Sequence, residues 1–411
     1  MGETTGAATD TPRLGLAGVT LLDPEDGSAV ETDVLVAEGR VVEIAHGCAR
    51  RADRVIEARG RTLLPGLIDA HFHAFADGFD LQAIDAIPMS YLAHRAAGRL
   101  NRALLRGFTT VRDVAGGDPG LARAVEEGLF PSPHYRYAGP ALSQTGGHGD
   151  ARHATDEGCA CGGHMTEVVD GPDELRRATR DRLRRGATVI KIMTSGGVVS
   201  PSDPIRVPQY SAEEVRAVVE EADRRGALVA AHAYSPEAIV HSLVNGVRSI
   251  EHGNLLDAAT ADLIRQHDAF LVPTLAAYDA MFRRGAEIGM SEVALRKNLE
   301  VRDAGLVALE LAERAGVRIG FGSDLMGPLE DEQLAGLRLQ AEVLGPLRAI
   351  RSATVGNAQL LGDPDLARIR PEGPADLLLL PGEVLADPAV LWERRDQPRI
   401  VVRDGVAYDG V

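Results

Sequence analysis

The chain has 411 residues, of which 45% are hydrophobic and 25% charged, a composition typical of a folded protein large enough for a barrel of 250 residues or more. Its net charge of -16 and its aromatic content of 4% argue against nucleic-acid binding, which needs cationic surfaces and stacking side chains. Because the sequence contains neither an apolar run of about 18 residues nor a basic leader with an apolar core, we expect a cytoplasmic protein without membrane contact.

The two ends of the chain predict short strands. After a polar start, residues 1–12, which we expect to be frayed, residues 13–62 alternate in β fashion between the turn signals DPEDG and EGR. The C-terminal part repeats this pattern in ADLLLLPG and in RIVVRDGVAYDG, where DG indicates a hairpin. We therefore predict a small β-sandwich domain built from residues 1–62 and 366–411, which flanks a central domain of residues 63–365.

The central part contains eight apolar segments of strand character, most of them separated by helix-like stretches. One such stretch, SAEEVRAVVEEADRRG, begins with a capping box at Ser211 and Glu214 and ends at Gly226. This α/β alternation with eight strands predicts a (β/α)8 TIM barrel, whose ligands lie at the carboxyl ends of the strands. The eight segments are residues 63–73, 108–114, 134–142, 187–193, 227–233, 247–253, 269–275 and 317–324.

Side chains that can bind metal ions stand at the ends of these strands. His71 and His73 close the first strand on one face, His232 ends the fifth, His252 the sixth and Asp324 the eighth. Imidazole and carboxylate ligands suit borderline-soft divalent ions such as Zn²⁺, and this set could hold one or two ions. Each residue alone could be a buried histidine or a helix cap, but their joint position at separate strand ends predicts a metal site.

A lysine occupies the apolar fourth strand, in ATVIKIMTSGG. Lys191 and Lys297 are the two lysines among 44 Lys and Arg residues, so an amine is used here where the chain elsewhere uses Arg. A buried ammonium is costly, and it would be repelled by neighbouring metal ions. A carbamate, formed from the amine and carbon dioxide, is instead an anion that can bridge two ions. A phosphate anchor beside SGG and a strand-end lysine that reaches solvent are the alternatives.

A set of motifs carries a family resemblance. LPGLIDAHFH, TTVRD, GGHGD, ATVIKIMTSGGVVSPSDP, AAHAYSPEAI, VRSIEHGN, FLVPTLAAY, GSD and GPADLLLL resemble the amidohydrolase superfamily, in its imidazolonepropionase-related branch of prolidase-like and N-acyl amino acid hydrolases. The resemblance covers most of the chain and implies a distorted barrel with a small β-sandwich and a two-metal centre, usually of Zn²⁺. It implies that His71, His73 and Asp324 hold the first ion, His232 and His252 the second, and that a carboxylated Lys191 bridges both.

The resemblance also implies a mechanism. A hydroxide that bridges the two ions attacks an amide carbonyl, and Asp324 accepts its proton and passes it to the leaving amine. His148, in TGGHGD, is expected to bind the substrate and donate to the developing oxyanion, although an ordinary loop histidine is the alternative. Tyr234 resembles the residue that binds a substrate carboxylate in prolidase-like relatives, although core packing would also explain it.

We therefore expect a binuclear hydrolase. Imidazolonepropionases and many deaminases of the superfamily use one metal and have no lysine corresponding to Lys191, so Lys191 argues against those activities. The expected small-molecule substrate is a dipeptide such as Xaa-Pro or an N-acyl amino acid with a free carboxylate, and the family resemblance predicts a homo-oligomer. The alternatives are hydrolysis of another C–N or ester bond, as in a cyclic amide, a lactone or an N-acyl phenylalanine toxin, and a metal-binding scaffold without turnover.

Two further motifs give weaker indications of a binding site. Three cysteines form no disulfide framework, and GCACGGH, with Cys159, Cys161 and His164, lacks a fourth ligand for a metal, so a loop over the barrel mouth is favoured for residues 143–171. SGGVVSPSDP lacks the spacing of a phosphate-binding loop, and we expect this turn to shape the pocket.

Overall fold

The computed structural model describes residues 12–153, 155, 163–200 and 203–411. Its strands are β1 (Leu14–Leu22), β2 (Ala29–Ala37), β3 (Arg40–Ile44), β4 (Arg54–Glu57), β5 (Arg61–Pro65), β6 (Leu67–Phe72), β7 (Phe108–Asp113), β8 (His134–Tyr137), β9 (Ala141–Ser143), β10 (Thr166–Val168), β11 (Val189–Met193), β12 (Leu228–Ala233), β13 (Ser249–His252), β14 (Phe270–Val272), β15 (Arg318–Ile319), β16 (Leu377–Pro381), β17 (Ile400–Arg403) and β18 (Val406–Asp409). Its helices are α1 (Leu81–Asp85), α2 (Met89–Leu105), α3 (Pro119–Glu126), α4 (Pro172–Arg184), α5 (Ala212–Asp223), α6 (Pro236–Val244), α7 (Ala258–Gln266), α8 (Leu275–Arg284), α9 (Glu292–Ala315), α10 (Ala335–Leu344), α11 (Pro346–Arg351) and α12 (Asn357–Leu360).

Strands from the two ends of the chain share one eight-stranded sheet. Its hydrogen-bonded order is β18-β17-β16-β5-β1-β2-β3, with β4 beside β1. β5 and β16 pair antiparallel, with Leu64 opposite Leu378, and this pairing joins the two ends. Leu16, Val34 and Leu377 are buried together in an apolar cluster on this sheet. The strands expected at both ends are thus present, and they pair with each other.

The central part of the chain forms two parallel sheets. One has the order β6-β7-β8 and the other β10-β9-β11-β12-β13-β14-β15. Backbone hydrogen bonds link the two, among them those from the N–H of Ala70 to the oxygen of Phe321 at 2.9 Å and from the N–H of Thr188 to the oxygen of Tyr137 at 3.0 Å. Apolar side chains of β11–β14 pack against the surrounding helices in the largest buried cluster. The architecture is therefore α/β, with parallel sheets covered by helices.

The predicted central strands are present, but several are shorter than expected. Residues 134–142 give two strands, β8 and β9, because Gly139, at φ 77°, and the following Pro140 interrupt regular pairing. β14 ends at Val272 because helix α8 starts at Leu275. β15 has two residues, and irregular backbone continues from it to Asp324. This irregular stretch positions Asp324 at the strand ends.

The predicted capping box is confirmed at helix α5. The hydroxyl of Ser211 accepts from the N–H of Glu214 at 3.3 Å, and the Glu214 carboxylate accepts from the N–H of Ser211 at 2.8 Å. The helix ends at Asp223, and Gly226 follows at φ 67°. Among the described residues, no helix combines the length and apolar composition needed to cross a lipid bilayer.

Candidate active site

One cavity lies at the carboxyl ends of the central strands. Its empty volume, open mouth included, is ≈ 730 Å³. Parallel strands bring their carboxyl ends to one edge, which is why side chains from distant parts of the sequence meet here. All eight of the predicted site residues line this cavity: His71, His73, His148, Lys191, His232, Tyr234, His252 and Asp324.

Two histidines from β6 and the loop after it meet the carboxylate of Asp324. Oδ1 of Asp324 lies 2.9 Å from Nε2 of His73 and 3.3 Å from Nε2 of His71. One ligand atom from each of these residues lies within 4.8 Å of the others. Burial alone would raise the pKa of Asp324, but His71 and His73 outweigh it and hold that pKa well below its usual range. The three side chains thus form a compact donor set with an ionised carboxylate.

A second pair of donors lies beside the first. Nδ1 of His232 is 2.8 Å from Nε2 of His252, and Nδ1 of His252 is 3.6 Å from the Asp324 carboxylate. Burial lowers the pKa of both imidazoles, so both are neutral, the form that binds metal ions. Nε2 of His232 donates to the carbonyl oxygen of Gly196 at 3.1 Å, which leaves the lone pair on Nδ1 directed at His252.

The amine of Lys191 faces the same cavity from β11. Its side chain is 2% exposed, and its Nζ has no hydrogen-bond partner in the described part of the chain. Burial lowers the pKa of Lys191 to about 8, although Glu251 and Asp324 work in the opposite direction. At pH 8 about half of such amines are neutral, against about 0.3% for a lysine of ordinary pKa. A buried, unpaired and partly neutral amine is available for reaction with an electrophile.

The backbone is strained at two of the predicted metal-binding residues. His252 has φ 72° and Asp324 has φ 54°, both in the left-handed region that side-chain-bearing residues rarely adopt. The N–H of Asp324 donates to the oxygen of His71 at 2.8 Å, which holds this conformation against the neighbouring strand. Such strain is characteristic of functional sites, and here it turns two strand ends so that their side chains enter the cavity.

Sequence reasoning missed the buried ion pair beneath these donors. Glu251, fully buried in β13, lies 2.7 Å from Nδ1 of His71 and 2.9 Å from the guanidinium of Arg112 in β7. It also accepts from the hydroxyl of Ser249 at 2.5 Å. The sequence did contain an indication of this pair. Glu251 and Arg112 each lie inside an apolar strand, and a charged side chain there, like that of Lys191, needs a buried partner.

Two tyrosines line one side of the cavity. The hydroxyl of Tyr234 lies 2.7 Å from that of Tyr278, which is 2.9 Å from Nδ1 of His252. Burial raises the pKa of both hydroxyls, so both remain protonated donors. Tyr278 was not predicted from the sequence. Tyr234 is therefore both packed in the core and in contact with the cavity.

His148 lies on the opposite side of His232. The two rings stack with centroids 4.2 Å apart and an interplanar angle of 17°. The turn that contains Gly196 and Gly197 approaches very closely: a Cβ on Gly197 would lie 2.1 Å from Cε1 of His148, and one on Gly196 would lie 2.2 Å from the oxygen of Pro204. These glycines are needed for close packing at the cavity, as the sequence analysis expected of this turn.

The remaining wall of the cavity is apolar. Four of the seven methionines in the chain line it, together with Phe79, Leu81, Val198 and Val199: Met165, Met193, Met281 and Met326. Within the described residues, no arginine lines the cavity. An apolar group of a substrate would therefore find a large, adaptable contact surface.

Of the GCACGGH motif, the structure describes Gly163 and His164, and Cys159 and Cys161 lie outside the described residues. The backbone N–H of His164 donates to the carboxylate of Asp85 at 2.7 Å, and His164 does not line the cavity.

Proteins of known activity or structure resemble this chain over most of its length. Ochratoxinase from Aspergillus niger is 30% identical over 419 residues, covering 94% of this chain and 85% of its own. A solved prolidase complexed with N-methylphosphonate-L-proline is 41% identical with a TM-score of 0.93, covering 97% of this chain and 100% of that one. A Xaa-Pro dipeptidase with bound methionine in its active site is 28% identical with a TM-score of 0.85, with the same coverage.

The family itself follows from the match over most of the chain. Residues 62–407 match the model of the amidohydrolase family, a span that contains both donor sets and Lys191. The expected resemblance is thereby confirmed. The chain belongs to the amidohydrolase family and is a hydrolytic enzyme that acts on C–N bonds.

Proposed function

We propose that this enzyme is a binuclear metal-dependent hydrolase that cleaves the amide bond of a dipeptide such as Xaa-Pro or of an N-acyl amino acid. The observation that carries the proposal is the convergence of two adjacent donor sets and one unpartnered buried amine on a single cavity. We also propose a closed, distorted (β/α)8 barrel of residues 63–365, a β-sandwich domain of residues 1–62 and 366–411, and a homo-oligomeric, cytoplasmic enzyme.

The residues at the site fit two divalent ions, for which we propose Zn²⁺. His71, His73 and Asp324 would hold one, and His232 and His252 the other. The neutral imidazoles of His232 and His252 and the ionised carboxylate of Asp324 are protonation states that metal binding requires. The unpartnered Nζ of Lys191 supports a carbamate at this position, because an anion between the two sets would offset the charge of the ions.

Ions held there would polarise a carbonyl group and lower the pKa of water from 15.7 to about 7. The protein side chains supply the remaining steps. Asp324, ionised and directed into the cavity, accepts the proton of the attacking water and delivers it to the leaving amine nitrogen, which must be protonated to depart. His148 donates to the carbonyl oxygen as negative charge develops on it.

Because no arginine lines the cavity within the described residues, the carboxylate of the substrate would be bound by other donors. The hydroxyls of Tyr234 and Tyr278 are protonated donors at the cavity wall, and we propose that Tyr234 donates to the carboxylate. The prolidase of known structure that binds N-methylphosphonate-L-proline supports this class of substrate, since that ligand is a proline derivative.

The apolar wall favours a second candidate within the same chemistry. Four methionines and Phe79 present a surface suited to a large apolar or aromatic group, as in an N-acyl phenylalanine. The identity of 30% to ochratoxinase supports this candidate. A Xaa-Pro dipeptide with an apolar first residue would combine the proline of the first candidate with a side chain that suits the apolar wall.

The test is a mass-spectrometric screen of the zinc-loaded enzyme against separate pools of Xaa-Pro dipeptides, other dipeptides, N-acyl amino acids including N-acyl phenylalanines, lactones and cyclic amides. Release of a free amino acid from one of the first three pools is the expected result, and Asp324→Asn is the inactive control. Turnover confined to lactones or cyclic amides would exclude carboxylate recognition by Tyr234. Bound zinc without turnover in any pool would support a scaffold.

A further inference from the structure

The second lysine of the chain is used entirely to hold one segment beside the cavity. Nζ of Lys297, in helix α9, donates to the backbone oxygens of Ser200 at 2.7 Å, Asp203 at 2.8 Å and Gly197 at 3.0 Å. An ammonium has three donors, and all three are satisfied by this segment. The contact therefore fixes the backbone on both sides of the turn that follows β11.

The segment held in this way carries a buried carboxylate. Asp203 is 3% exposed, and its Oδ2 accepts from the backbone N–H of Gly197 at 3.2 Å and from the amide of Gln209 at 3.1 Å. Its Oδ1 lies 3.7 Å from Nζ of Lys297. A buried carboxylate costs free energy unless it is paired, and these contacts supply the pairing. Its position is thus defined from several sides.

The same carboxylate faces His148. Oδ2 of Asp203 is 3.6 Å from Nδ1 of His148, an ion-pair distance slightly beyond a hydrogen bond. Gln209 links the two residues a second time, because its oxygen accepts from the backbone N–H of His148 at 3.0 Å while its amide donates to Asp203. The ring of His148 is confined between His232 and Gly197. Rotation of the ring is therefore limited on its faces, and its Nδ1 edge is turned to the carboxylate.

We propose that Asp203 is the positioning residue for His148, and that Lys297 holds Asp203 in place. With Nδ1 directed at Asp203, Nε2 is the ring nitrogen left to donate to the substrate. The carboxylate then faces Nδ1 on one side of the ring, and Nε2 is left for the substrate carbonyl on the other. This inference rests on the proposed amide hydrolysis, in which His148 is the donor.

The kinetic test uses a double-mutant cycle on the zinc-loaded enzyme. Asp203→Ala is expected to lower kcat by about 10- to 100-fold with little change in KM, because the donor is misplaced while the remaining substrate contacts persist. In the His148→Ala background, Asp203→Ala is expected to cause no further loss. Additive losses in the double variant, or an unchanged kcat in Asp203→Ala, would overturn the proposal.

Two further variants separate positioning from folding. Asp203→Asn keeps the size of the side chain but removes its charge, so it is expected to lower kcat in the same direction while the protein stays folded and its zinc content is unchanged. Lys297→Met is expected to weaken catalysis in the wild type but not in the His148→Ala background. Loss of zinc in Asp203→Asn at an unchanged kcat per bound zinc would contradict the proposal.

A structural readout keeps the inference testable even if the proposed substrates are wrong. Crystal structures of the zinc-loaded wild type and of Asp203→Asn are expected to differ in the orientation of the His148 ring relative to His232. An identical ring position and Nδ1 direction in both would overturn the positioning role. Absence of amide hydrolysis by the wild type would instead count against the proposed function and leave this comparison intact.

Discussion

Glu251 holds His71 in one orientation. Its carboxylate lies 2.7 Å from Nδ1 of His71, so it accepts the Nδ1 proton and leaves Nε2, 3.3 Å from Asp324, as the ring nitrogen directed into the cavity. Arg112, 2.9 Å away, balances the charge of the buried carboxylate. One buried side chain thus fixes a predicted metal-binding histidine and neutralises a buried arginine.

Glu251→Gln is expected to loosen the orientation of His71 and to leave Arg112 without a charged partner. Zinc affinity should fall by about 10- to 100-fold, because the amide is a weaker partner for the Nδ1 proton. The free energy of unfolding should fall by about 3–5 kcal/mol, because Arg112 keeps its charge without a compensating carboxylate. Chelator competition measures the first effect and urea unfolding of the metal-free protein the second.

A surface ion pair provides the matched control. Glu220 lies 2.8 Å from Arg176 and its side chain is 50% exposed, so Glu220→Gln should change the free energy of unfolding by less than about 1 kcal/mol and leave zinc affinity unchanged. Equal effects of the two substitutions would contradict the role assigned to Glu251.

Lys191→Arg is expected to abolish the proposed two-metal centre. A guanidinium retains the positive charge but forms no stable carbamate, so the zinc content should fall below two ions per chain and kcat by at least about 100-fold. Metal analysis and turnover of the substrate found by screening measure this. Bicarbonate should accelerate zinc reconstitution of the wild type and not that of the variant. A fully active Lys191→Arg would exclude the carbamate.

The lowered pKa of Lys191 predicts a pH dependence of stability. Between the folded pKa of about 8 and the ordinary value of 10.5, the unfolded metal-free chain binds more protons than the folded one, so stability rises with pH across this window. The gain should reach about 3 kcal/mol. Urea unfolding in chelator and CO2-free buffer measures it.

Lys191→Met is the control for this pH dependence of the free energy of unfolding. Methionine is similar in length and does not titrate, so the variant should lack the rise contributed by the amine between about pH 8 and 10.5. An identical slope in the wild type and in Lys191→Met would show that the amine is not the group responsible.

The residues that line the cavity could be predicted because strand geometry places them. Alternation puts His71 and His73 on one face, and the parallel arrangement brings them to the edge reached by His232, His252 and Asp324. These constraints act through the backbone and need no knowledge of rotamers. The sequence therefore sufficed for the location of the site.

The partners of those residues could not be predicted in the same way. Glu251 and His71 are 180 positions apart, and Asp203 and His148 meet across two loops, so each pairing depends on rotamers and loop conformations that periodicity does not determine. β15 is also shorter than predicted, and the left-handed backbone at Asp324 belongs to the irregular stretch that follows it.

Gly197→Ala tests whether the close approach of the turn to His148 matters for catalysis. The added Cβ would lie 2.1 Å from Cε1 of His148, so the ring must move away from its stack on His232. We expect kcat to fall by about 10- to 100-fold at an unchanged zinc content, because the donor to the carbonyl oxygen is displaced. Gly78→Ala is the control, since a Cβ there meets no atom within 4 Å, and it should retain full activity. An active Gly197→Ala alongside an impaired His148→Ala would show that the ring can shift without cost to the reaction.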